Sequence, residues 1–259
     1  MKRTAARAVA WAAPPLALFL LVLAGWHLAT VQLRLPAYLV PSPLQVARVG
    51  WERRLDLLSA LAITGAATVC GFLASLTGGF LIALLFSQSA LIRRSCYPYA
   101  LFLQTVPIVA IAPLIVTWFG FGFQSVALIS AIIGLFPIIT GGVTGLLAVE
   151  PQLLELFRLY RASRWQVLWK LRLPHAVPYL VTGARASSGL SVIGAIVGEF
   201  FVGFSGNTHG LGYLILLTSG QLKTDYLFAS VFACTALGLL VFGAVNAVAG
   251  VVLRRWGSG

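Results

Sequence analysis

The side chains that could carry acid–base, nucleophilic or metal chemistry are few in this 259-residue chain, and they lie far apart. It contains six acidic residues, three histidines and three cysteines. No two acids form a catalytic pair, and His27, His175 and His209 lack the spacing of metal ligands. The cysteines have no close partner, which favours a role as small apolar fillers. The sequence therefore predicts no catalytic residue, no metal site and no bound cofactor.

Motifs that would hold a nucleotide are absent from the sequence as well. None of the three lysines, Lys2, Lys170 and Lys223, follows a glycine, so there is no Walker A loop. Neither an HExxH nor a GxSxG motif occurs. We predict that the chain is not an enzyme, and that any ATP on which it depends is hydrolysed by another subunit.

One stretch, residues 155–178, concentrates charged and aromatic side chains. It reads ELFRLYRASRWQVLWKLRLPHAVP and holds five of the eighteen basic residues. A proline directly after Glu150 predicts a helix start there. Ser163 and Gln166 have the spacing of a capping box, so one helix should end near Arg161 and a second should begin at Ser163. We expect Pro174 to end that second helix.

This bent, basic pair of helices has two interpretations. It could lie on anionic lipid, with Trp165, Trp169 and the arginines as anchors. It could instead dock onto a soluble protein. The capped bend favours docking, because a helix on a lipid surface needs no defined kink.

The basic stretch at 155–178 lies between long apolar blocks, and these blocks must hold it in position. The chain is 59% hydrophobic and only 9% charged, whereas a soluble domain has about a quarter charged residues. Continuous apolar blocks of about 20 residues indicate membrane-spanning helices surrounded by lipid, and exclude a barrel. The predicted fold class is an all-α integral membrane protein. We predict six spans, at about 11–31, 61–86, 97–119, 125–147, 178–202 and 228–252.

The distribution of charge sets the expected orientation. A net charge of +12 could indicate nucleic-acid binding, but the basic residues lie at the ends of apolar blocks, which argues against that partner. Six spans place both termini on one side, and Lys2, Arg3, Arg254 and Arg255 mark that side as the cytoplasm. The start resembles a signal peptide, but its apolar part is too long and too aromatic, so we expect a retained first helix.

The spans differ in how tightly they should pack. The first is mostly Leu, Val and Ala and should face lipid. The fifth carries Ser187, Ser191, Gly194 and Gly198 on one helical face, and such small stripes let helix backbones approach closely. We predict a peripheral first helix and a packed core of the other five. The apolar part of segment 203–226 is too short to span, so we expect a re-entrant or interfacial piece.

The basic stretch resembles the cytoplasmic EAA loop of the permease subunits of bacterial ABC importers. Glu155 corresponds to the Glu of that pattern, Ala162 and Ser163 to the residues after its Gly, and Leu173–Pro174 to its Leu-Pro. Arg161 stands where the pattern has Gly. If Arg161 takes the left-handed backbone conformation, the cost is about 1–2 kcal/mol.

Further stretches resemble one branch of that family, which carries nitrate, sulfonate, taurine and bicarbonate and also includes pyrimidine and riboflavin importers. They are YLVPSPLQV (38–46), QTVPIVAIAPLIVTWFGFG (104–122), and the GAIVGEFFVG and GLGYLI stretches at the end of the fifth span and beyond it. The resemblance covers nearly the whole chain.

The resemblance implies a type I ABC importer permease fold. Residues 1–56 would hold the first helix and an outer-surface segment, and residues 57–253 the permease core with a coupling loop at 150–178. It also implies a cell inner membrane location, a second permease copy in a homodimer, a pair of cytoplasmic ATPase subunits and an extracytoplasmic solute-binding protein. The residues expected to couple to the ATPase are Glu155, Phe157, Arg158, Tyr160, Arg161, Ala162, Ser163 and Pro174.

The translocation pathway has few polar candidates, namely Gln104, Thr105, Pro107, Glu199 and Asn246. For Glu199, pore lining and bonding between helices both remain open. The sequence Gly-Glu-Phe at 198–200 resembles the pyrimidine and riboflavin importers, and basic residues are scarce within the membrane, so we lean to such a vitamin or precursor. The alternative solutes are sulfonate, taurine, nitrate or bicarbonate. The alternative class is a self-sufficient secondary transporter or channel, in which an internal repeat would be common, and we find none.

Overall fold

The computed structural model describes residues 2–202 and 209–256, and within these residues the chain is helical without a strand. The predicted all-α class is therefore confirmed. The helices are α1 (Lys2–Gln32), α2 (Pro43–Glu52), α3 (Arg54–Gln88), α4 (Ala90–Thr105), α5 (Ile108–Phe119), α6 (Phe123–Leu147), α7 (Pro151–Leu159), α8 (Arg164–Val167), α9 (Leu173–Val202), α10 (Leu211–Gly220) and α11 (Thr224–Trp256). A π-helical turn, Leu168–Arg172, joins α8 to α9.

Five helical stretches among the described residues are long and apolar enough to cross a membrane. They are Ala13–Gln32, Arg54–Gln88, Phe123–Leu147, Arg164–Val202 and Thr224–Arg255. The predicted third span, 97–119, is not one helix: α4 ends at Thr105 and α5 begins at Ile108. Val106 is extended, with φ −73° and ψ 123°, because Pro107 disfavours the helical conformation of the residue before it and cannot donate a backbone hydrogen bond.

The chain divides into two compact units. The first unit consists of residues 1–58 and 214–232. Its core holds Val46, Tyr226 and Ala229, with Trp26 packed against them and 5.5 Å from the Phe228 ring, centroid to centroid. By contrast, the α1 side chains from Leu16 to Val22 are mostly exposed, as a lipid-facing helix requires. Of the short interfacial piece expected at 203–226, residues 203–208 lie outside the described residues, and the rest contains the short helix α10.

The second unit consists of residues 59–213 and 233–259, and its closest helix pair is α6 against α9. Glycines make the approach possible. A Cβ atom at Gly183 would lie 2.5 Å from the carbonyl oxygen of Pro137, and one at Gly194 would lie 2.7 Å from the Cα of Ser130. Helices in lipid associate through such backbone packing. The stripe predicted on the fifth span therefore does face a neighbouring helix.

Candidate functional site

The loop that follows α6 begins with helix α7, and the turn after α7 has a defined geometry. Arg161 donates its backbone N–H to the carbonyl of Arg158 at 2.9 Å, and Ala162 donates to the carbonyl of Phe157 at 2.9 Å. This pair of bonds is a Schellman motif, in which the residue after the C-cap takes a left-handed conformation. That residue is Arg161, with φ +50°. An arginine thus occupies a position that favours glycine, at a cost of about 1–2 kcal/mol.

The helix after this turn starts with the predicted capping box. Gln166 donates its backbone N–H to Ser163 Oγ at 3.2 Å, and Ser163 donates its own N–H to Gln166 Oε1 at 2.7 Å. Between them the Schellman turn and the capping box satisfy backbone groups on both sides of Ala162. The angle between α7 and α8 is therefore fixed by local hydrogen bonds.

The expectation that Pro174 ends this second helix is wrong. The backbone stays helical from Arg164 to Val202 and passes through the π turn directly before the proline. In the π turn Leu173 donates to the carbonyl of Leu168. This wider turn shifts the carbonyls with which a proline ring collides in a regular α-helix, so the helix can continue.

Two contacts attach the loop to the helices of the second unit. Leu168 is buried in a cluster with Ala83, Ile139 and Leu146. Arg172 donates from Nη1 to the carbonyl oxygen of Ser87, in the last turn of α3, at 3.0 Å. A cation there also interacts favourably with the negative end of the helix dipole. These contacts hold the loop against α3 and α6.

The outer surface of the loop is aromatic and basic. Tyr160 and Leu159 are each 80% exposed, and Trp165 and Trp169 are 70% and 65% exposed. An open pocket of about 360 Å³ on this surface is lined by Leu156, Phe157, Tyr160, Ala162, Gln166 and Lys170. A second pocket, of about 430 Å³, has Arg158, Arg164 and Arg172 in its lining. Exposed apolar surface rimmed by charge is typical of an interaction site.

A buried polar cluster at the far end of α9 surrounds Glu199, which is 5% exposed. Thr64 donates its hydroxyl to Glu199 Oε1 at 2.8 Å, and the backbone N–H of Gly212 donates to Oε2 at 2.7 Å. Thr64 Oγ1 in turn accepts from the N–H of Leu211 at 2.8 Å. A Cβ atom at Gly210 would collide with the carboxylate. Glu199 thus links α3, α9 and the N-terminus of α10, where a negative charge is stabilised by the helix dipole.

Hydroxyl groups make a second junction between α3, α6 and α9. Ser187 Oγ donates to the carbonyl of Gly134 at 2.8 Å and lies 3.1 Å from Ser75 Oγ. Ser130 donates to the carbonyl of Ser191 at 2.8 Å. Each of these side chains is buried. Such interhelical hydrogen bonds stabilise contacts between membrane helices.

The other predicted pathway residues do not join these clusters. Gln104, Thr105 and Pro107 are exposed around the break between α4 and α5, and Asn246 is half-buried in α11. Thr105 donates its hydroxyl to the carbonyl of Phe102 at 2.9 Å. Their role in the pathway stays a prediction.

The sequence analysis did not identify Arg185 as a polar residue of the membrane region. Arg185 lies inside the predicted fifth span and in the middle of α9, half-buried, and its Nε is enclosed without a hydrogen-bond partner. The signal was available, because a single basic residue inside an apolar run stands out. It also qualifies the statement that basic residues are scarce within the membrane, on which the preference for a vitamin or precursor as the solute partly rests.

Comparisons with known proteins identify a family with this architecture. The family model described as "Binding-protein-dependent transport system inner membrane component" matches residues 75–258. The formylaminopyrimidine transport permease protein of Halalkalibacterium halodurans is 32% identical over 244 residues, which cover 92% of this chain and 94% of that protein. The riboflavin transport system permease protein of Chloroflexus aurantiacus is 31% identical over 239 residues, covering 92% and 87%.

More distant similarities point the same way. The taurine transport system permease protein of Escherichia coli is 28% identical over 231 residues, covering 86% of this chain and 82% of that protein. A chain in an inward-facing structure of the MetNI methionine ABC transporter has the same fold, with a TM-score of 0.66 at 18% identity, covering 76% of this chain and 95% of that chain. The chain therefore belongs to the family of binding-protein-dependent transport system inner membrane components, and it is a membrane-embedded permease subunit of an ABC importer whose ATPase is a separate subunit.

Proposed function

We propose that the loop from Glu150 to Pro174 couples this permease to its ATPase, and that ATP-driven movement of the loop changes the access of the membrane pathway. The observation that carries this proposal is the rigid bend between α7 and α8, set by the left-handed Arg161 and the Ser163 capping box. A fixed bend presents Phe157, Tyr160 and Trp165 as anchors in one arrangement. Pre-organised aromatic anchors are what a protein groove binds well.

Charge on the loop favours a protein partner over lipid alone. Glu155 is exposed on α7, one turn before the exposed Arg158. Anionic lipid would repel this carboxylate, whereas a protein surface of mixed charge can pair with both residues and orient the loop. The buried Leu168 and the bond from Arg172 to Ser87 would carry motion of the loop into α9 and α3.

The remaining partners and the location extend the same proposal. Two copies of the chain would form the pathway, with residues 57–253 as the permease core and residues 1–56 as a peripheral part. An extracytoplasmic binding protein would deliver the solute across the inner membrane. Both termini would lie in the cytoplasm, where the basic residues Arg254 and Arg255 end α11.

For the solute, we propose a pyrimidine- or riboflavin-type vitamin or precursor. The relatives that carry formylaminopyrimidine and riboflavin match 92% of this chain at 32% and 31% identity. The taurine permease and an aliphatic sulfonate permease of Bacillus subtilis match 86% and 79% at 28% and 29%. Sulfonate, taurine or nitrate import is the second candidate, favoured by these weaker similarities and by the cation in α9.

Reconstitution tests the proposed function. The permease is placed in vesicles with an ATPase and a binding protein from the same organism, and uptake of riboflavin, formylaminopyrimidine, taurine and nitrate is followed with and without ATP. We expect ATP-dependent uptake of one of the first two. Robust uptake by the permease without an ATPase would contradict coupling and would favour a self-sufficient transporter.

A charge reversal tests the docking loop itself. Arg158→Glu should uncouple ATP hydrolysis from uptake and weaken recovery of the ATPase with the permease from detergent, because it places a second negative charge beside Glu155. Arg255→Glu, at the cytoplasmic end of α11, is the matched control and should leave both measurements unchanged. If Arg158→Glu weakens only binding to anionic vesicles and spares the ATPase complex, the loop is a lipid anchor.

A further inference from the structure

The membrane-spanning part of α9 contains a cation that nothing in the described structure neutralises. Roughly 18 Å of helix precede Arg185 within α9 and roughly 25 Å follow it. None of the six carboxylates, all of which lie within the described residues, forms an ion pair with it. Its Nε is buried without an acceptor. The Nε–H therefore requires an acceptor from outside the described chain.

Arg185 borders the side of α9 that packs against no helix of the described unit. Thr182, Ala186 and Ile193 on that side are exposed, and a Cβ atom at Gly189 would meet nothing within 4 Å. These residues recur at steps of four, three and four and so form one face. The opposite face carries the buried serines and glycines that bind α6. The two faces therefore have different surroundings.

The residues beside Arg185 are not those of a lipid-facing surface. On α1 the exposed side chains are large and apolar, among them Leu16, Phe19 and Leu20. Around Arg185 they are Thr182, Ala186 and Gly189, which are small, and the space at Gly189 is open. Charged residues at membrane depth almost always face a water-filled cavity or a partner, because exposure to hydrocarbon is costly.

We propose that Arg185 lines the solute pathway of this permease, and that its charge makes the pathway electropositive, admitting solutes with anionic or carbonyl oxygens and excluding cations. This inference rests on the proposed transport function. The planar guanidinium can donate two parallel hydrogen bonds to a carboxylate, a sulfonate or the carbonyl edge of a heterocyclic ring. Thr182 and Gly189 provide the space in which such a group approaches it.

Thiol labelling tests the charge of this face directly. Cys70, Cys96 and Cys234 are first replaced by alanine, and Thr182→Cys is introduced into the transporter assembled with its ATPase in vesicles. The probes are a sulfonate-bearing and a trimethylammonium-bearing methanethiosulfonate, applied with and without ATP. Residues three apart on a helix have Cβ atoms about 5–6 Å apart. The guanidinium and the charge of the probe lie farther apart than these Cβ atoms, so even in a water-like dielectric Arg185→Gln should lower the anion-to-cation ratio of reaction rates several-fold.

Two further variants make the result decisive. Arg185→Lys keeps the charge and should keep the ratio. Ser188→Cys, at a buried position, should react with neither probe. If Thr182→Cys is unreactive in every nucleotide state, the face is not water-lined and the inference is overturned. A ratio that does not respond to Arg185→Gln overturns it as well. Recovery of the ATPase with each variant is measured separately, so a failure of the proposed coupling is distinguished from a failure of the charged pathway.

Discussion

The loop from Glu150 to Pro174 and the buried clusters on α9 are both polar, yet they use polar groups in opposite ways. In the loop, Ser163 and Gln166 satisfy backbone groups a few residues away and leave the large side chains exposed. On α9, Glu199 bonds to Thr64, which is distant in the sequence, and its whole side chain is enclosed. Loop changes should therefore alter recognition at little cost in stability, whereas changes on α9 should alter stability first.

Glu199→Leu tests this difference between the loop and α9, and it should have the largest effect on the free energy of unfolding. The substitution leaves the Gly212 N–H without its acceptor, at a cost of about 1–3 kcal/mol, whereas the Thr64 hydroxyl can still donate to the carbonyl of Ala60 at 3.0 Å. The free energy of unfolding in detergent should fall by that amount, and binding of the ATPase by the remaining folded protein should be unchanged. Glu199→Gln keeps an acceptor oxygen and is the control. Equal stability of all three proteins would show that the cluster does not hold α10.

A second test concerns the close contact between α6 and α9. In Gly183→Ala the added methyl group would lie 2.5 Å from the carbonyl oxygen of Pro137, so the helices must separate. We expect a loss of about 1–3 kcal/mol, as for other overpacked sites, measured as a lower thermal unfolding midpoint. Gly189→Ala lies on the same helix where a methyl group meets nothing, and it should be neutral or slightly stabilising. Equal effects of the two substitutions would contradict the packing.

The third test is a substitution in the loop that should make the turn after α7 more stable. Arg161→Gly removes the left-handed strain and should stabilise the turn locally by about 1 kcal/mol. The measurement is amide hydrogen exchange at Ala162, whose N–H bonds to Phe157. Arg158→Gly, at a helical position of α7, is the control and should speed exchange instead. Faster exchange in Arg161→Gly would mean that the arginine side chain stabilises the turn by contacts that outweigh the strain.

The smallest effect is expected for the capping serine. Ser163→Ala removes the acceptor for the Gln166 N–H and should destabilise the start of α8 by about 0.5–2 kcal/mol. Global unfolding should hardly change, while recovery of the ATPase with the permease should fall modestly. Ser163→Asp retains an acceptor and should restore it. If Ser163→Ala leaves recovery unchanged at every salt concentration, the cap is not needed for docking.

Sequence reasoning was most accurate where the interactions are local. The capping box at Ser163 and the helix start at Pro151 each depend on residues within one helical turn. The sequence left the conformation of Arg161 conditional, and the structure shows it to be left-handed. The sequence analysis missed the break at Pro107 and wrongly placed a helix end at Pro174, although prolines are obvious in a sequence. Whether a proline ends a helix depends on whether the carbonyls before it can shift, and the π turn before Pro174 shows that they can.

The sequence by itself determined that this is a membrane protein, five of its long apolar helices and the bend at Ser163, because composition and short-range hydrogen bonds decide these. Only the tertiary structure decided what the polar residues of the membrane do. Thr64 and Glu199 are 135 residues apart, and no periodic pattern links them. Arg185 has no acceptor among the described residues. Whether a polar group in a membrane helix is satisfied depends on which helices meet, since lipid offers no hydrogen bonds of its own.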